Sequence, residues 1–310
     1  MRKRRRPRKR RLRQKKLKLK PNPPPRSNPH PPGAIPESPL RINCAMPIAL
    51  LARARASTTL LRSFVRRELT TRYAGTLLGG VWALGQPVLL LAIYAFVFRT
   101  VFKVQIPDTN VSFVTLVACA LWPWMAFQEA VQRGTVAITA NAELVRKIRF
   151  PHHLLVYAAV LGSFIIHGAG FIAVALVLAL AGEPLHLAGL PVVLAAWAVA
   201  LLLALAVALA TAALQVVIKD VEPALGPLFM LLFYATPVLY PLSMVPDMLR
   251  PWVALNPFVH VVEPIRAALL DGEALAAFAD LWPPTLLALV LLACSRWLFR
   301  RLAVYFQDFL

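Results

Sequence analysis

Long apolar stretches with few charges are the feature that most limits how this sequence can fold. A helix needs about 20 mostly apolar residues to cross the hydrocarbon core of a bilayer. Only 15% of the residues are charged, whereas about a quarter are charged in a typical soluble domain, so the surplus apolar surface must face lipid. The stretches that meet the requirement are 81–98, 111–131, 154–181, 187–218, 223–240 and 281–297. The predicted fold is therefore an all-α integral membrane protein with six transmembrane helices.

The distribution of Lys and Arg between these spans predicts the orientation. Segments on one side, which include both terminal segments, carry 14 basic residues, and segments on the other side carry four. Cytoplasmic loops of membrane proteins are enriched in Lys and Arg. We therefore expect a multi-pass inner-membrane protein with both termini in the cytoplasm.

The first 45 residues form a basic, proline-rich tail. They hold 16 Lys/Arg residues and a single acid, Glu37, within a chain of net charge +20. Repulsion between like charges and the shortage of apolar residues predict disorder. Binding of anionic lipid or nucleic acid, a solvated tail, and translation from a misassigned start upstream of Met46 remain open, and we favour the last. We expect no nucleic-acid partner for the membrane domain that follows, 46–310.

The segment 57–73 is predicted to be an amphipathic helix on the cytoplasmic membrane surface. Its apolar residues recur at helical spacing, and the opposite face carries Arg62, Arg66, Arg67 and Thr70. Such a helix lies in the plane of the interface with its apolar face towards lipid. A plain juxtamembrane helix is the alternative.

A short basic helix is predicted in the cytoplasmic loop between the second and third spans. Asn141 suits the N-cap position and Glu143 the N-terminal end of the helix dipole, whereas basic residues suit the C-terminal end. Pro151 would stop the helix. Its residues are Asn141, Glu143, Arg146, Lys147, Arg149 and Pro151. A stiff helix here can transmit movement from a cytoplasmic partner, and an ordinary positively charged loop is the alternative.

Two short re-entrant helices are predicted on the outer face, before the last span. The pieces 247–256 and 257–270 are apolar but too short to cross a bilayer. Prolines break up this segment, and irregular backbone at membrane depth is tolerated only against protein or water. A simple extracytoplasmic loop is the alternative.

Aromatic residues recur in and near the predicted spans. They are Tyr94, Phe98, Trp122, Trp124, Phe229, Phe233, Tyr234 and Tyr240. Aromatic rings stack on apolar C–H faces, such as those of sugars, while hydroxyl groups stay hydrated, so these residues are candidates for lining a pore. Interface belts and helix packing are the alternative explanation.

The sequence lacks the residues that ion-driven or catalytic mechanisms need. The spans hold almost no ionisable residues for an ion relay. His167 is interpreted as a packed or hydrogen-bonded interior residue, and Glu129 and Arg133 are expected to pair with each other. The glycines of 75–80 lack the Lys-Ser/Thr of a phosphate loop, and we find no catalytic triad, carboxylate pair or metal site. We therefore predict a transporter subunit that is not an enzyme and holds no cofactor, with ATP and Mg²⁺ bound by a separate subunit.

Three stretches of the sequence resemble the permease family of ABC type-2 exporters, specifically its O-antigen, capsule and teichoic-acid branch. They lie at 67–87, 121–151 and 233–257, and have the sequences RELTTRYAGTLLGGVWALGQP, LWPWMAFQEAVQRGTVAITANAELVRKIRFP and FYATPVLYPLSMVPDMLRPWVALNP. The resemblance covers nearly all of 46–310, which is assigned as an ABC type-2 permease domain. Residues 1–45 depart from the pattern.

This resemblance implies an assembly and a substrate. The assembly would be a homodimer of permeases with two ABC ATPase subunits, and the substrate a lipid-linked polysaccharide moved across the inner membrane. The basic helix at 141–151 would be the coupling helix that contacts the ATPase, and 244–271 would form gate helices at the outer mouth. The implied gate residues are Met244, Pro246, Trp252, Asn256 and Pro257.

Other functions fit the sequence less well. An exporter of drugs or lipids from the same superfamily is the main alternative. A membrane glycosyltransferase would need acidic or metal-binding motifs that the sequence lacks, and a membrane-tethered nucleic-acid binder would depend on the tail alone.

Overall fold

The computed structural model describes residues 45–72, 75, 81–101 and 111–310. Within these ranges the chain is helical and contains no β-strand. The tail expected at 1–45 lies outside the described residues except for Ala45, at which the first helix begins. Tyr73, the last residue of the predicted amphipathic helix, also lies outside them.

The described part of the chain contains long helices joined by short ones. In chain order the α-helices are α1 Ala45–Thr71, α2 Trp82–Ala95, α3 Phe113–Val136, α4 Ala142–Lys147, α5 His153–Leu180, α6 Leu190–Val217, α7 Val221–Ala235, α8 Arg250–Ala254, α9 Val259–Arg266, α10 Ala274–Ala279, α11 Trp282–Leu302 and α12 Phe306–Phe309. Six-residue and five-residue π-helical segments extend α2 and α9, at Phe96–Val101 and Ala267–Asp271.

Four helical segments of the described residues are long and apolar enough to cross a membrane. They are Phe113–Val136, His153–Leu180, Leu187–Val217 and Ala274–Phe309. The predicted spans 81–98 and 223–240 correspond instead to the shorter apolar helices Gly85–Phe98 and Val221–Ala235. The structure therefore supports a multi-pass, all-helical membrane protein, and four of the six predicted spans reach full length by themselves.

The helix α7 is shorter than predicted because of a proline. Thr236 has an extended backbone (φ −97°, ψ 136°), as expected of a residue that precedes proline, here Pro237. The 15 residues of α7 rise about 22 Å at 1.5 Å per residue, less than the roughly 30 Å of a hydrocarbon core. The predicted span 223–240 was too long because it was based on hydropathy alone, which does not register the break before Pro237.

The bundle is built around α6, which packs on α3, α5, α9 and α11. A row of alanines, one every four residues along α6, is fully buried. Its members are Ala196, Ala200, Ala204, Ala208 and Ala212. Residues four apart form a ridge on one helix face, and small side chains let neighbouring helix backbones approach closely.

The crossing of α3 with α6 depends on a glycine in α3. A Cβ atom placed on Gly134 would lie 2.6 Å from Cβ of Ala208 and 3.3 Å from Cγ2 of Val160. Real Cβ atoms do not approach so closely, so a larger residue at position 134 would force α3 away from α6 and α5. The close contact fixes the position of the C-terminal part of α3.

Candidate coupling and gate sites

Charged side chains tie the C-terminal part of α1 to α3. Glu68 of α1 accepts two hydrogen bonds from Arg133 of α3, with its Oε1 at 2.7 Å from a terminal guanidinium nitrogen and 3.0 Å from Nε. Gly162 of α5 makes room for this pair, because a Cβ there would lie 2.9 Å from Cγ of Glu68. The residue before Glu68, Arg67, donates to Oδ1 of Asn141 at 2.7 Å. These contacts connect α1 to the C-terminal end of α3 and to the loop that follows it.

A second charged group lies deeper between the same elements. Arg72, directly after α1, forms an ion pair with Glu129 of α3. The other carboxylate oxygen of Glu129 lies 2.6 Å from Nε2 of His167 on α5. His167 is 4% exposed, so this contact joins three elements inside the bundle. We call the contacts of Arg67, Glu68 and Arg72 with α3, α5 and Asn141 the α1 charge ladder.

The ladder corrects one prediction and agrees with another. The expected pair of Glu129 with Arg133 does not form, because each side chain bonds to a residue from another element. Spacing of four residues brings side chains to one face of a helix, but α1 and α5 lie against that face and offer nearer partners. His167 is a hydrogen-bonded interior residue, as interpreted from the sequence.

The basic helix predicted at 141–151 is present but shorter. It is α4, Ala142–Lys147, preceded by a 3-10 turn at Thr139–Asn141. Asn141 occupies the N-cap position without capping through its side chain, which donates to the carbonyl of Ala137 at 2.8 Å and accepts from Arg67. The capping prediction is therefore wrong, and the amide of Asn141 instead joins the loop to α1.

The end of α4 also differs from the prediction. The helix ends at Lys147, and Ile148 is extended, so Arg149 and Pro151 lie beyond it and Pro151 is not its direct stop. Proline restricts the backbone of the residue before it, and the extended segment leads into α5. Glu143 lies in the first turn of α4 and pairs with Lys147 at 2.9 Å.

The exposed face of α4 is suited to contact a protein partner. Val145 is fully buried and holds the helix on the bundle. Glu143, Arg146, Lys147 and Arg149 are exposed, and Ile148 is 54% exposed among them. An apolar residue surrounded by flexible charges resembles the centre and rim of a protein interface.

A chain of rings connects this loop to α1 and to the C-terminal helices. Phe150 lies 5.6 Å from the ring of Phe64 on α1 and 5.2 Å from His152. His152 stacks on Phe306 of α12, with ring centroids 6.3 Å apart. Burial lowers the pKa of His152 below its usual value, which favours the neutral imidazole in this apolar contact. The loop is therefore in contact with both α1 and the C-terminal helices.

Three of the aromatic residues predicted to line a pore are inside the bundle. Trp122, Trp124 and Phe229 are at most 2% exposed. The ring of Trp124 contacts Phe229 and Phe258 edge-on, at centroid distances of 6.3 and 5.2 Å. Buried aromatic pairs of this geometry stabilise packing. In this conformation these three residues form core and do not present a surface to a substrate.

The other predicted pore residues are partly accessible. Tyr94 stacks on Phe233 at 6.1 Å, and Phe98 on Phe113 at 5.4 Å. Tyr234 is 57% exposed, and the hydroxyl of Tyr240 donates to the carbonyl oxygen of Tyr234 at 2.8 Å. A pore role remains a prediction for these five residues.

The predicted outer gate contains two short helices, α8 and α9. Met244, Pro246 and Trp252 are exposed, and Asn256 and Pro257 are half-buried. The amide of Asn256 donates to Oγ1 of Thr236 at 2.7 Å, and its oxygen accepts from the backbone N–H of Phe258 at 3.0 Å. Asn256 thereby links the end of α7 to the turn between α8 and α9.

A buried arginine holds this region together. It is one of the four basic residues that the sequence assigned to the less basic side of the membrane. Arg266, at the end of α9, is 4% exposed. Its guanidinium donates to the carboxylate of Glu263 at 3.0 Å and to four backbone carbonyl oxygens. These belong to Pro237 at 2.6 Å, Val238 at 2.9 Å, Tyr240 at 3.2 Å and Leu116 at 3.3 Å. One side chain therefore holds α9, the turn after α7 and the start of α3 together.

Sequence reasoning missed Arg266 and Arg72 because their partners are distant in the chain. Arg266 donates to a carbonyl oxygen 150 residues away in the chain, and no pattern of neighbouring residues predicts that contact. The spacing of Glu263 and Arg266, three apart on a helix, is a local signal of an ion pair, and Asp247 and Arg250 in the same segment have the same spacing and also pair.

The fold and these sites define a class of protein. Several helices long and apolar enough to span a membrane, a short helix with an exposed charged face between two of them, and a proline-rich helical segment before the last one are features of a membrane permease subunit. The chain belongs to the ABC-2 type transporter family, whose pattern matches residues 59–270.

Curated relatives refine this assignment. The chain is 35% identical, over 71% of its length and 85% of the relative's, to "O-antigen export system permease protein RfbA" of Myxococcus xanthus. It is 26% identical to the protein of that name from Klebsiella pneumoniae, over 69% of this chain and 81% of the relative. It is also 26% identical to "Polysialic acid transport protein KpsM" of Escherichia coli, over 66% of this chain and 79% of the relative. Relatives named as permease and transport proteins agree with the prediction of a transporter subunit that is not itself an enzyme.

Proposed function

We propose that this chain is the membrane subunit of an ATP-driven exporter that moves a lipid-linked polysaccharide across the inner membrane. The observation that carries the proposal is the similarity to a permease named for O-antigen export, over 71% of this chain and 85% of the relative. A relative named for polysialic acid transport extends the similarity to another surface polysaccharide. The shared chemistry is a long, hydroxyl-rich polymer.

The proposed assembly is a homodimer with two ABC ATPase subunits, which bind ATP and Mg²⁺. Both termini lie in the cytoplasm, and α2 with its π-helical extension and α7 complete six crossings. One bundle of this size is too narrow to enclose a hydrated glycan, so the route runs between two copies. The partly accessible aromatic residues, Tyr94, Phe98, Phe233, Tyr234 and Tyr240, are proposed to line that route.

Coupling is proposed to run through α4. The ATPase would contact the exposed face of α4, and movement would pass to α3 and α5 through the α1 charge ladder and the rings of Phe64 and Phe150. The outer end of the route would be closed by the segment 244–271, which Arg266 fixes to α3. Thus the ladder and the buried arginine act at opposite ends of α3.

Depletion of the protein tests the substrate assignment. Lipid-linked polysaccharide should accumulate on the cytoplasmic side while surface polysaccharide falls, and the accumulated material can be analysed chemically. Unchanged surface polysaccharide would refute the assignment and direct attention to the export of lipids or drugs.

A charge-reversal variant tests the coupling assignment. Replacing Arg146, Lys147 and Arg149 by Glu should abolish export while the protein still inserts, because the exposed face would repel a partner that binds basic residues. A matched control replaces Arg296, Arg300 and Arg301, exposed residues near the C-terminus, with the same change in charge. Normal export and ATP hydrolysis in the first variant would contradict the role of α4.

A further inference from the structure

A polar cavity of about 270 Å³ lies among α2, α3 and α5. Its lining includes Trp82, Gln86, Gln128, Glu129, Gln132 and His167. None of these residues was assigned to the pore or the gate on sequence grounds.

The polar groups of the cavity converge from three helices. Gln128 and Gln132 are four residues apart on α3 and therefore lie on the same face of that helix. Gln86 approaches from α2 and His167 from α5. Three amides around one cavity between membrane helices are unusual, because an amide without a hydrogen bond is costly away from water.

Several of these groups have hydrogen-bonding capacity to spare. The buried Nδ1 atom of His167 has no hydrogen-bond partner in the described part of the chain. The amides of Gln86, which is exposed, and Gln132, which is partly buried, line the cavity where an occupant or water can bond to them. The Oε1 atom of Gln128 accepts from the indole N–H of Trp124 at 3.1 Å, which leaves its NH₂ group to donate. An occupant that offers both donors and acceptors would satisfy them.

The charge of the cavity favours a neutral occupant over an anion. Glu129 brings a carboxylate to the lining, and Arg72 already forms an ion pair with that carboxylate. A phosphate group would meet this carboxylate without a free cation among the lining residues of the cavity. Hydroxyl groups, in contrast, donate to carboxylates and amide oxygens and accept from amide NH₂ groups.

The lining also offers one indole surface, that of Trp82. Trp82 begins α2 and is 48% exposed, so its indole surface is available at the rim. An indole face stacks on the apolar C–H face of a sugar while polar side chains bond to the hydroxyls around the ring edge. The volume corresponds to roughly nine waters at about 30 Å³ each, which is enough for one sugar ring.

We propose that this cavity is a carbohydrate subsite that holds a single neutral sugar residue of the substrate. Trp82 stacks on the sugar ring, and Gln86, Gln128, Gln132 and Glu129 bind its hydroxyls. Arg72, directly after α1, forms an ion pair with Glu129 of the lining, so the subsite is connected to the α1 charge ladder. The proposal rests on the proposed function, because it names the part of a polysaccharide substrate that the permease recognises.

Thiol protection tests binding directly. In a variant with Cys44→Ser, Cys119→Ala and Cys294→Ser, a reporter thiol is introduced by Gln86→Cys, and its modification by a maleimide is timed in native membranes. The probes are octyl β-glucoside, β-galactoside and β-mannoside below their micellar concentrations, with octanol and sodium pyrophosphate for comparison. At twice the dissociation constant, two thirds of sites are occupied, and the rate should fall about threefold.

The pattern across probes decides the result. We expect at least one glycoside to slow modification, octanol and pyrophosphate to have no effect, and Trp82→Ala to remove the protection. A protein that retains Cys294, which is exposed on α11, serves as the control thiol outside the cavity. Protection by none of the glycosides, equal protection by octanol or pyrophosphate, or equal slowing at Cys294 would each overturn the subsite.

Export assays separate this proposal from the function on which it rests. Trp82→Ala and Gln132→Leu should slow appearance of surface polysaccharide roughly three- to tenfold, and Trp82→Phe should retain more activity than Trp82→Ala. Matched controls are Trp297→Ala and Gln307→Leu, at exposed positions on α11 and α12. Membrane abundance is measured for every variant so that a folding failure is recognised.

Two outcomes distinguish the failures. If depletion of the wild-type protein abolishes surface polysaccharide but Trp82→Ala exports at the normal rate, the subsite is refuted and the function stands. If depletion leaves surface polysaccharide unchanged, the function is refuted, and glycoside protection of the Q86C thiol then decides the subsite by itself.

Discussion

Removal of the Arg266 guanidinium should destabilise the junction of α9 with the start of α3 and the 237–240 turn. The guanidinium donates to carbonyl oxygens on both sides of a junction, Leu116 at the start of α3 and the 237–240 turn after α7. Hydrogen bonds to a charged group contribute about 1.5–3 kcal/mol each. The full sum overstates the loss, because carbonyls of the turn can bond to water once the side chain is removed. The carboxylate of its ion-pair partner, Glu263, is 32% exposed and can also bond to water. We therefore expect Arg266→Ala to cost about 3–5 kcal/mol, the equivalent of about two of these hydrogen bonds.

Thermal unfolding of the detergent-solubilised protein measures this effect. A loss of 3–5 kcal/mol corresponds to a fall in the unfolding midpoint of roughly 6–20 °C for a chain of this size. Arg266→Lys should recover part of the loss, because an ammonium group keeps the charge but cannot donate in two directions as a planar guanidinium does. The control is Arg250→Ala, since Arg250 belongs to the same segment but is 48% exposed, with an exposed partner, Asp247.

The comparison with Arg250 also states what would refute the reasoning. Exposed ion pairs contribute about 0–1 kcal/mol, and the two carbonyls to which Arg250 also donates, those of Ser243 and Val245, lie in its own segment. Arg250→Ala should therefore lower the midpoint less than Arg266→Ala. If Arg266→Ala unfolds at the same temperature as the wild type, or no earlier than Arg250→Ala, then Arg266 does not hold the junction together.

Two further tests concern the contacts of α3 with its neighbours, one through close packing and one through an ion pair. Gly134→Ala should destabilise the protein by about 1–3 kcal/mol through overpacking, because the new Cβ would lie 2.6 Å from that of Ala208. Gly226→Ala has open space around it and is the control, and equal unfolding midpoints would contradict the close crossing. Glu68→Arg and Arg133→Glu should each reduce export and stability, and the double reversal should restore part of both. A double variant no better than the worse single variant would show that the two residues are not coupled.

The location of α4 could be predicted from sequence, but its contacts could not. An acidic residue followed by basic residues and a proline indicated a short helix near 141–151, and α4 lies there. The role of Asn141 was wrong because its side chain has two alternatives to capping, the carbonyl of Ala137 and the guanidinium of Arg67. The second partner is 74 residues away in the chain, so no local pattern contains it.

For the aromatic residues too, the sequence predicted positions along the helices but not the tertiary contacts. Spacing placed Trp124, Phe229 and Phe233 on helix faces, but it could not say which face turns inward. The structure buries Trp124 and Phe229 against Phe258 and Phe127 and leaves Phe233 half-buried. In a membrane helix both the lipid-facing side and the core are apolar, so composition does not distinguish them.

The sequence by itself determined the class of the protein, the approximate positions of its apolar helices and its family. These follow from the transfer of apolar segments into lipid and from the distribution of basic residues, both of which are properties of consecutive residues. Only the tertiary structure decided which charges pair, as with Glu68 and Arg133, 65 residues apart. It also decided that Arg266 is buried and that three glutamines face one cavity. The physical reason is that these contacts depend on which helix faces meet, which close packing around Gly134 and the alanine row of α6 selects.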